Sequence, residues 1–220
     1  MKGQSLHQAN WHGHVLATNP PHALRHWLTG EGSLTAKLKE HSSSFRVQVL
    51  HQEPSICLAD EANAIGQHRP VRVVEREVLL RCDNTPVVFG HTVVPMSADA
   101  SDWPLFSALG ERSLGSTLFG DPMVKRGELE FARLRATHPL ARRVRAALAA
   151  NGCAVPDDHL LYARRCLYRR NEGTLLVTEV FLPTVLELKM AGSDPDKKES
   201  HKAELGPAPT VGANLRLDQE

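Results

Sequence analysis

Two ionisable residues stand inside runs that otherwise have the composition of buried strands. VVEREVLL holds Arg76 and VTEVFLP holds Glu179. Taking a charge out of water costs roughly several kcal/mol unless the charge meets a partner. With the two-residue period of a strand, Arg76 shares a sheet face with Val74 and Val78, and Glu179 shares one with Val177 and Phe181. Two alternatives are open at this level. The pair can be structural, as a cross-strand ion pair or part of an exposed sheet face. They can instead belong to a site, where a guanidinium holds an anion and a glutamate with apolar neighbours, its pKa raised, exchanges a proton.

Other chemistry finds less support. His22 and His26 fall one helical turn apart, with His12 and His14 nearby, yet there is no H-E-x-x-H and no cysteine at zinc-like spacing, so no metal is expected. Cys57, Cys82, Cys153 and Cys166 form no C-x-x-C pair and suit reduced thiols in a cytoplasmic protein. G-x-G-x-x-G, the P-loop and G-x-S-x-G are all missing, which removes the usual support for nucleotide cofactors and serine hydrolysis. The arginines of YARRCLYRR and FARLRATHPLARRVR interleave with aromatics, but a net charge of +1 over 220 residues argues against nucleic acid as a partner. No apolar run approaches the ~20 residues of a membrane-spanning helix, so stable membrane insertion is not expected.

The elements that must position Arg76 and Glu179 are mostly strands. Six candidates cover 45–51, 71–82, 87–95, 123–134, 160–170 and 174–182, with turns at DNTP and NEG, and their short connections favour antiparallel neighbours. A helix is expected after NPPHALRHWL opens, with Asn19 as N-cap, and a second over 33–41. A third follows in THPLARRVRAALAANG, capped by Thr137 and ended by Gly152, with Arg142, Arg143 and Arg145 on a solvated face. The result is an α+β domain over 19–190, one antiparallel sheet with helices packed on it. Flexible segments are expected at 1–18 and, from its charge, Pro and Gly content, at 191–220.

The ordered blocks WLTGEGSLT, REVLLRCDNTPVVFGHTVVP, LGERSLGSTLF and LLVTEVFLP, spanning about 27–183, resemble the chorismate-pyruvate lyase family. That resemblance implies a single six-stranded antiparallel sheet with helices over one side, a buried ligand cavity, and no metal or organic cofactor. It also implies a cytoplasmic, monomeric lyase that converts chorismate to 4-hydroxybenzoate and pyruvate, the first step toward ubiquinone. The same fold serves as a small-molecule sensing domain in some bacterial repressors, which is the alternative outcome. By resemblance, Arg76 binds the aromatic carboxylate and Glu179 meets the hydroxyl end of the ring. Leu34 and Leu114 match positions that contact the ligand largely through backbone groups, Leu34 standing where methionine also occurs. His91 stands where the resemblance leads one to expect arginine.

Overall fold

The computed structural model describes residues 8–30, 32–98, 102–156 and 159–188. The expected tail at 191–220 lies outside them. Six strands are present: β1 (Phe45–Ile56), β2 (Arg72–Cys82), β3 (Thr85–Pro95), β4 (Lys125–Leu134), β5 (Leu161–Arg170) and β6 (Gly173–Phe181). All adjacent pairs are antiparallel, in the order β1-β2-β3-β6-β5-β4. The helices are α1 (His22–Leu28), α2 (Leu34–Glu40), α3 (Ala59–Ala64), α4 (Leu114–Gly120) and α5 (Pro139–Ala150).

Local chemistry sets the hairpins. Between β2 and β3, Asp83 and Asn84 take φ of 48° and 65°, the left-handed pair that a two-residue turn of mirror type requires. Asn171 does the same service between β5 and β6, at φ 49°. The turn at Asn171 and Glu172 fixes the register of that hairpin, pairing Arg170 with Gly173 and, six residues further back, Arg164 with Glu179.

Helices lie on both faces of the sheet, not on one. On the front face, Leu24, Trp27, Leu28 and Leu38 of α1 and α2 pack with Val78, Leu80, Tyr162 and Phe181, while Leu118 of α4 packs with Val94, Tyr168 and Leu175. On the reverse face, Leu140, Val144 and Leu148 of α5 meet Leu79, Phe89, Ala163 and Val180, and Ala62 of α3 meets Val73, Val93 and Leu176. Central strands covered on both sides need apolar residues on both sides, which explains why β3 is buried along almost its whole length without alternation.

Three local expectations are corrected. Asn19 does not cap α1: Pro21 takes that place, and Asn19 closes a short 3-10 turn at Val15–Thr18 in the left-handed conformation. The N-cap of α5 is His138, whose ring accepts from the Leu140 N–H, and not Thr137. The stretch expected to lead loosely into the domain is tied down from Trp11 onward. The indole of Trp11 donates to Asp60 and lies 4.2 Å from the Arg165 guanidinium, and His12 exchanges backbone hydrogen bonds with Phe131 of edge strand β4.

Candidate active site

Alternate residues of each strand face the front, and together with two helical layers they enclose a cavity. Its floor includes Arg76 and Val78 of β2, Gly90 and Thr92 of β3, and Val177 and Glu179 of β6. Its cover includes Leu34 and Thr35 of α2 and Ser113, Leu114 and Phe119 at α4, the two layers being joined by a 2.6 Å hydrogen bond between the Thr35 and Ser113 hydroxyls. The enclosed space, open solvent at the mouth included, is about 750 Å³. Gly90 keeps the floor low, since a Cβ there would lie 2.9 Å from Val78 Cγ2.

All four residues singled out from the sequence line this cavity: Arg76, Glu179, Leu34 and Leu114. Arg76 is 3% exposed, which decides that it is no surface cation. Its Nη1 donates to Gln52 Oε1 at 2.9 Å and its Nη2 to the Gly110 carbonyl at 2.8 Å. Both partners are neutral, so they orient the fork without cancelling its charge. Burial pushes the Arg76 pKa down, and an arriving carboxylate would offset that cost.

Glu179 fits both alternatives left open above. It forms a cross-strand ion pair, accepting from Arg164 Nε at 2.5 Å, and it also borders the cavity. Arg164 is itself buried, and its Nη1 donates to the carbonyls of Trp27, Leu28 and Gly30, the end of α1 and the turn toward α2. One side chain thus fixes both the carboxylate and the helical cover above it. The hairpin register at NEG was the signal that could have found Arg164, because the strand around it and its turn were already legible.

Arg126 and Tyr168 are two further lining residues that the sequence patterns did not single out. Burial raises the Tyr168 phenol pKa and the Cys166 thiol pKa, so both remain neutral hydroxyl and thiol groups in the wall.

His22 and His26, one helical turn apart, are exposed on α1. Among the described residues, the group with metal-ligand proximity is instead His51, Glu75 and Glu77 on the reverse face. Arg143 Nη1 already bridges those carboxylates, at 2.7 Å from Glu75 and 2.9 Å from Glu77, so a guanidinium takes the place a cation would need. This corrects the solvated role expected of Arg143, whose reach from α5 crosses onto β2. His91 lies in the same cluster, fully buried, with Nδ1 3.1 Å from Glu77 and Nε2 2.7 Å from Glu61 of α3, the latter contact an ion pair without hydrogen-bond alignment. The front cavity is therefore out of reach of His91.

Among the described residues, the covered sheet face thus holds a buried arginine with neutral hydrogen-bond partners beside an ion-paired glutamate. The family model for chorismate lyase matches residues 5–190, and the chain belongs to that enzyme family. It is 47% identical over 180 residues to a probable chorismate pyruvate-lyase of Cupriavidus metallidurans, covering 81% of this chain and 82% of that one. A probable chorismate pyruvate-lyase of Cupriavidus pinatubonensis is 45% identical, with 84% and 94% covered. Among solved structures, a GntR-family transcriptional regulator from Bacillus cereus aligns over 68% of this chain and 99% of its own at 13% identity, with a TM-score of 0.47. No described helix is long and apolar enough to cross a membrane.

Proposed function

We propose that this protein converts chorismate to 4-hydroxybenzoate and pyruvate by eliminating the enolpyruvyl group, and that the product enters ubiquinone synthesis. The observation that carries this is the placement of Arg76 and Glu179 on one covered cavity, with Arg76 held, among the described residues, by two neutral partners. In this scheme the ring carboxylate takes the two-pronged guanidinium of Arg76 and the C4 hydroxyl end lies at Glu179. The proton leaves C4, its electron pair forms the C3–C4 double bond, and the C3–O bond breaks. Enolpyruvate then picks up a proton as pyruvate. Aromatisation drives the step, so the protein's task is orientation and exclusion of water, effects worth about 7 to 11 kcal/mol in favourable cases.

Glu179 either accepts the C4 proton or orients the hydroxyl, and Arg164 holds it in place for both. Leu34 and Leu114 each begin a helix, so their N–H groups lack partners within it and are free to meet the ligand's oxygens.

The test is direct. Purified protein, dialysed against EDTA, is incubated with chorismate while 4-hydroxybenzoate and pyruvate are measured. Equal amounts of both support the proposal. Tight 4-hydroxybenzoate binding without turnover would make the protein a sensing module, and activity restored only by a divalent ion would overturn the elimination scheme.

A further inference from the structure

The orientation of the substrate in the scheme above depends on how the Arg76 guanidinium is held. Gln52 of β1 stands directly opposite Arg76 in the β1–β2 pairing and is half-buried. Its Oε1 accepts from Arg76 Nη1 at 2.9 Å, and its Nε2 donates to the carbonyl of Phe106 at 2.9 Å. Gln52 is not among the described residues that line the cavity. We propose that it is a positioning residue for the ligand carboxylate and acts through Arg76, one side-chain amide tying the guanidinium to the chain between β3 and α4. The inference rests on the lyase proposal, with Arg76 as the carboxylate's partner.

The backbone is shaped to put an amide there. Val47 and Val49 pack on the front face with Val78 and Leu80, so strict alternation along β1 would bring His51 to the front as well and send Gln52 to the reverse. A register shift between Val49 and His51 inserts one extra residue. It turns His51 to the reverse face, where it meets Glu75 and Glu77, and brings Gln52 forward to Arg76.

Both partners of the amide are fixed. The Phe106 carbonyl belongs to a connection anchored by Trp103, Phe106 and Leu109, whose side chains pack with Val94, Leu118 and Leu175. Further along it Gly110 takes φ 53°, a left-handed turn that suits glycine, and its carbonyl accepts from Arg76 Nη2 at 2.8 Å. Arginine only donates and a backbone carbonyl only accepts, so the group between Arg76 and Phe106 must accept at one end and donate at the other. The amide of glutamine does both, whereas an ionised glutamate has no N–H for Phe106 and a methionine of the same length has neither group. Each terminal nitrogen of a guanidinium carries two hydrogens, so one hydrogen bond to each fixes the plane of the fork that a carboxylate has to match.

The test compares Gln52→Met with wild type, with Arg76→Ala and with the double variant. Calorimetry measures binding of 4-hydroxybenzoate and of its uncharged analogue 4-hydroxybenzamide, and KM and kcat are measured for chorismate. Gln52→Met is expected to weaken 4-hydroxybenzoate and raise KM roughly fivefold to fiftyfold, with kcat within a factor of about three, because a carboxylate held alike in ground and transition states sets KM. Its 4-hydroxybenzamide affinity should stay within a factor of about two, which also shows that the variant is folded. On the Arg76→Ala background the same change should alter 4-hydroxybenzoate affinity by less than about twofold, since no guanidinium is left to hold. Gln52→Ala, which cannot crowd its neighbours, is the second variant and should behave alike. Equal loss for both ligands, a loss that persists without Arg76, or no loss at all would each overturn this inference and leave the lyase proposal standing. Wild-type protein that neither binds 4-hydroxybenzoate nor consumes chorismate would overturn the lyase proposal, and this inference with it.

Discussion

The two faces of the sheet treat buried charge in opposite ways. On β2 the consecutive residues Glu75, Arg76 and Glu77 are 3%, 3% and 5% exposed, and strand alternation sends the glutamates to the reverse face and the arginine to the front. Behind the sheet, Glu61, Glu75 and Glu77 meet His91, Arg143 and His51 in a cluster whose charges answer one another. In front, among the described residues, Arg164 pairs with Glu179 while Arg76 is held by neutral partners, Gln52 and the Gly110 carbonyl. A buried charge has to be paired somewhere. The reverse face pairs its own charges; on the front, the proposed function gives Arg76 a ligand carboxylate as its partner.

Breaking the front should cost catalysis before stability. The largest effect is expected from Glu179→Gln, which keeps the shape but cannot take up a proton as a carboxylate does. Turnover of chorismate should fall by roughly 10² to 10⁴ if Glu179 moves the proton, while the thermal midpoint changes little. A small fall with weakened 4-hydroxybenzoate binding would instead assign Glu179 to orienting the hydroxyl, and no change in either would return it to a purely structural ion pair.

Breaking the reverse face should do the converse. His91→Leu leaves Glu61 and Glu77 facing apolar surface, and a loss of about 3 to 5 kcal/mol in unfolding free energy is expected from denaturant titration. The folded fraction should still bind 4-hydroxybenzoate. A stable variant that had lost binding would join the two faces and defeat the comparison.

Arg76→Ala is expected to weaken 4-hydroxybenzoate by about 2 to 4 kcal/mol, because the ligand carboxylate would enter the cavity without its partner. Arg76→Lys should restore only part, since an ammonium cannot reproduce the fork held by Gln52 and Gly110. Unchanged affinity in calorimetry would take Arg76 out of the site.

The smallest effect per step is a pH dependence confined to the reverse cluster. Burial opposes the charge on His91, but Glu61 and then Glu77 outweigh it and push its pKa up from 6.5 to about 10. Burial likewise opposes the charges of Glu61 and Glu77, and His91 holds both below 4.5. The groups facing His91 come from three elements: Glu61 on α3, Glu75 and Glu77 on β2, and Arg143 on α5, which adds its charge to the same carboxylates. A raised histidine pKa contributes stability that is complete below pH 6.5 and is lost as pH climbs toward 10, whereas the glutamates lose theirs as pH falls below 4.5. The unfolding free energy, and with it the melting temperature, should therefore decline on the alkaline side, the free energy by at most about 1.4 kcal/mol per pH unit for this one proton. His91→Gln should flatten that limb, and an identical slope in the variant would show that other groups control it.

Much of this was legible in the sequence because it is local. Alternation in FRVQVLH, β-branched runs around DNTP and the turn at NEG are decided within a few residues, and they specify six antiparallel strands and the hairpin that pairs Arg164 with Glu179. The resemblance blocks added the two helical positions, Leu34 and Leu114, that no strand pattern could reach. Where the sequence misled, the competing force was tertiary. Arg143 has the spacing of a solvated helix residue, but α5 packs against β2 and brings buried carboxylates within its reach. Trp11 precedes any periodic segment, yet its indole finds Asp60 of a helix, α3, that has no strong sequence signal of its own. The pairing of β3 with β6 is the decisive case. It joins a hairpin carrying Arg76 to one carrying Glu179 across more than a strand and two helices of intervening chain, and no local preference encodes that contact. Sequence alone determined which residues could do chemistry; the burial of shared apolar faces on both sides of the sheet decided that they would meet in one cavity.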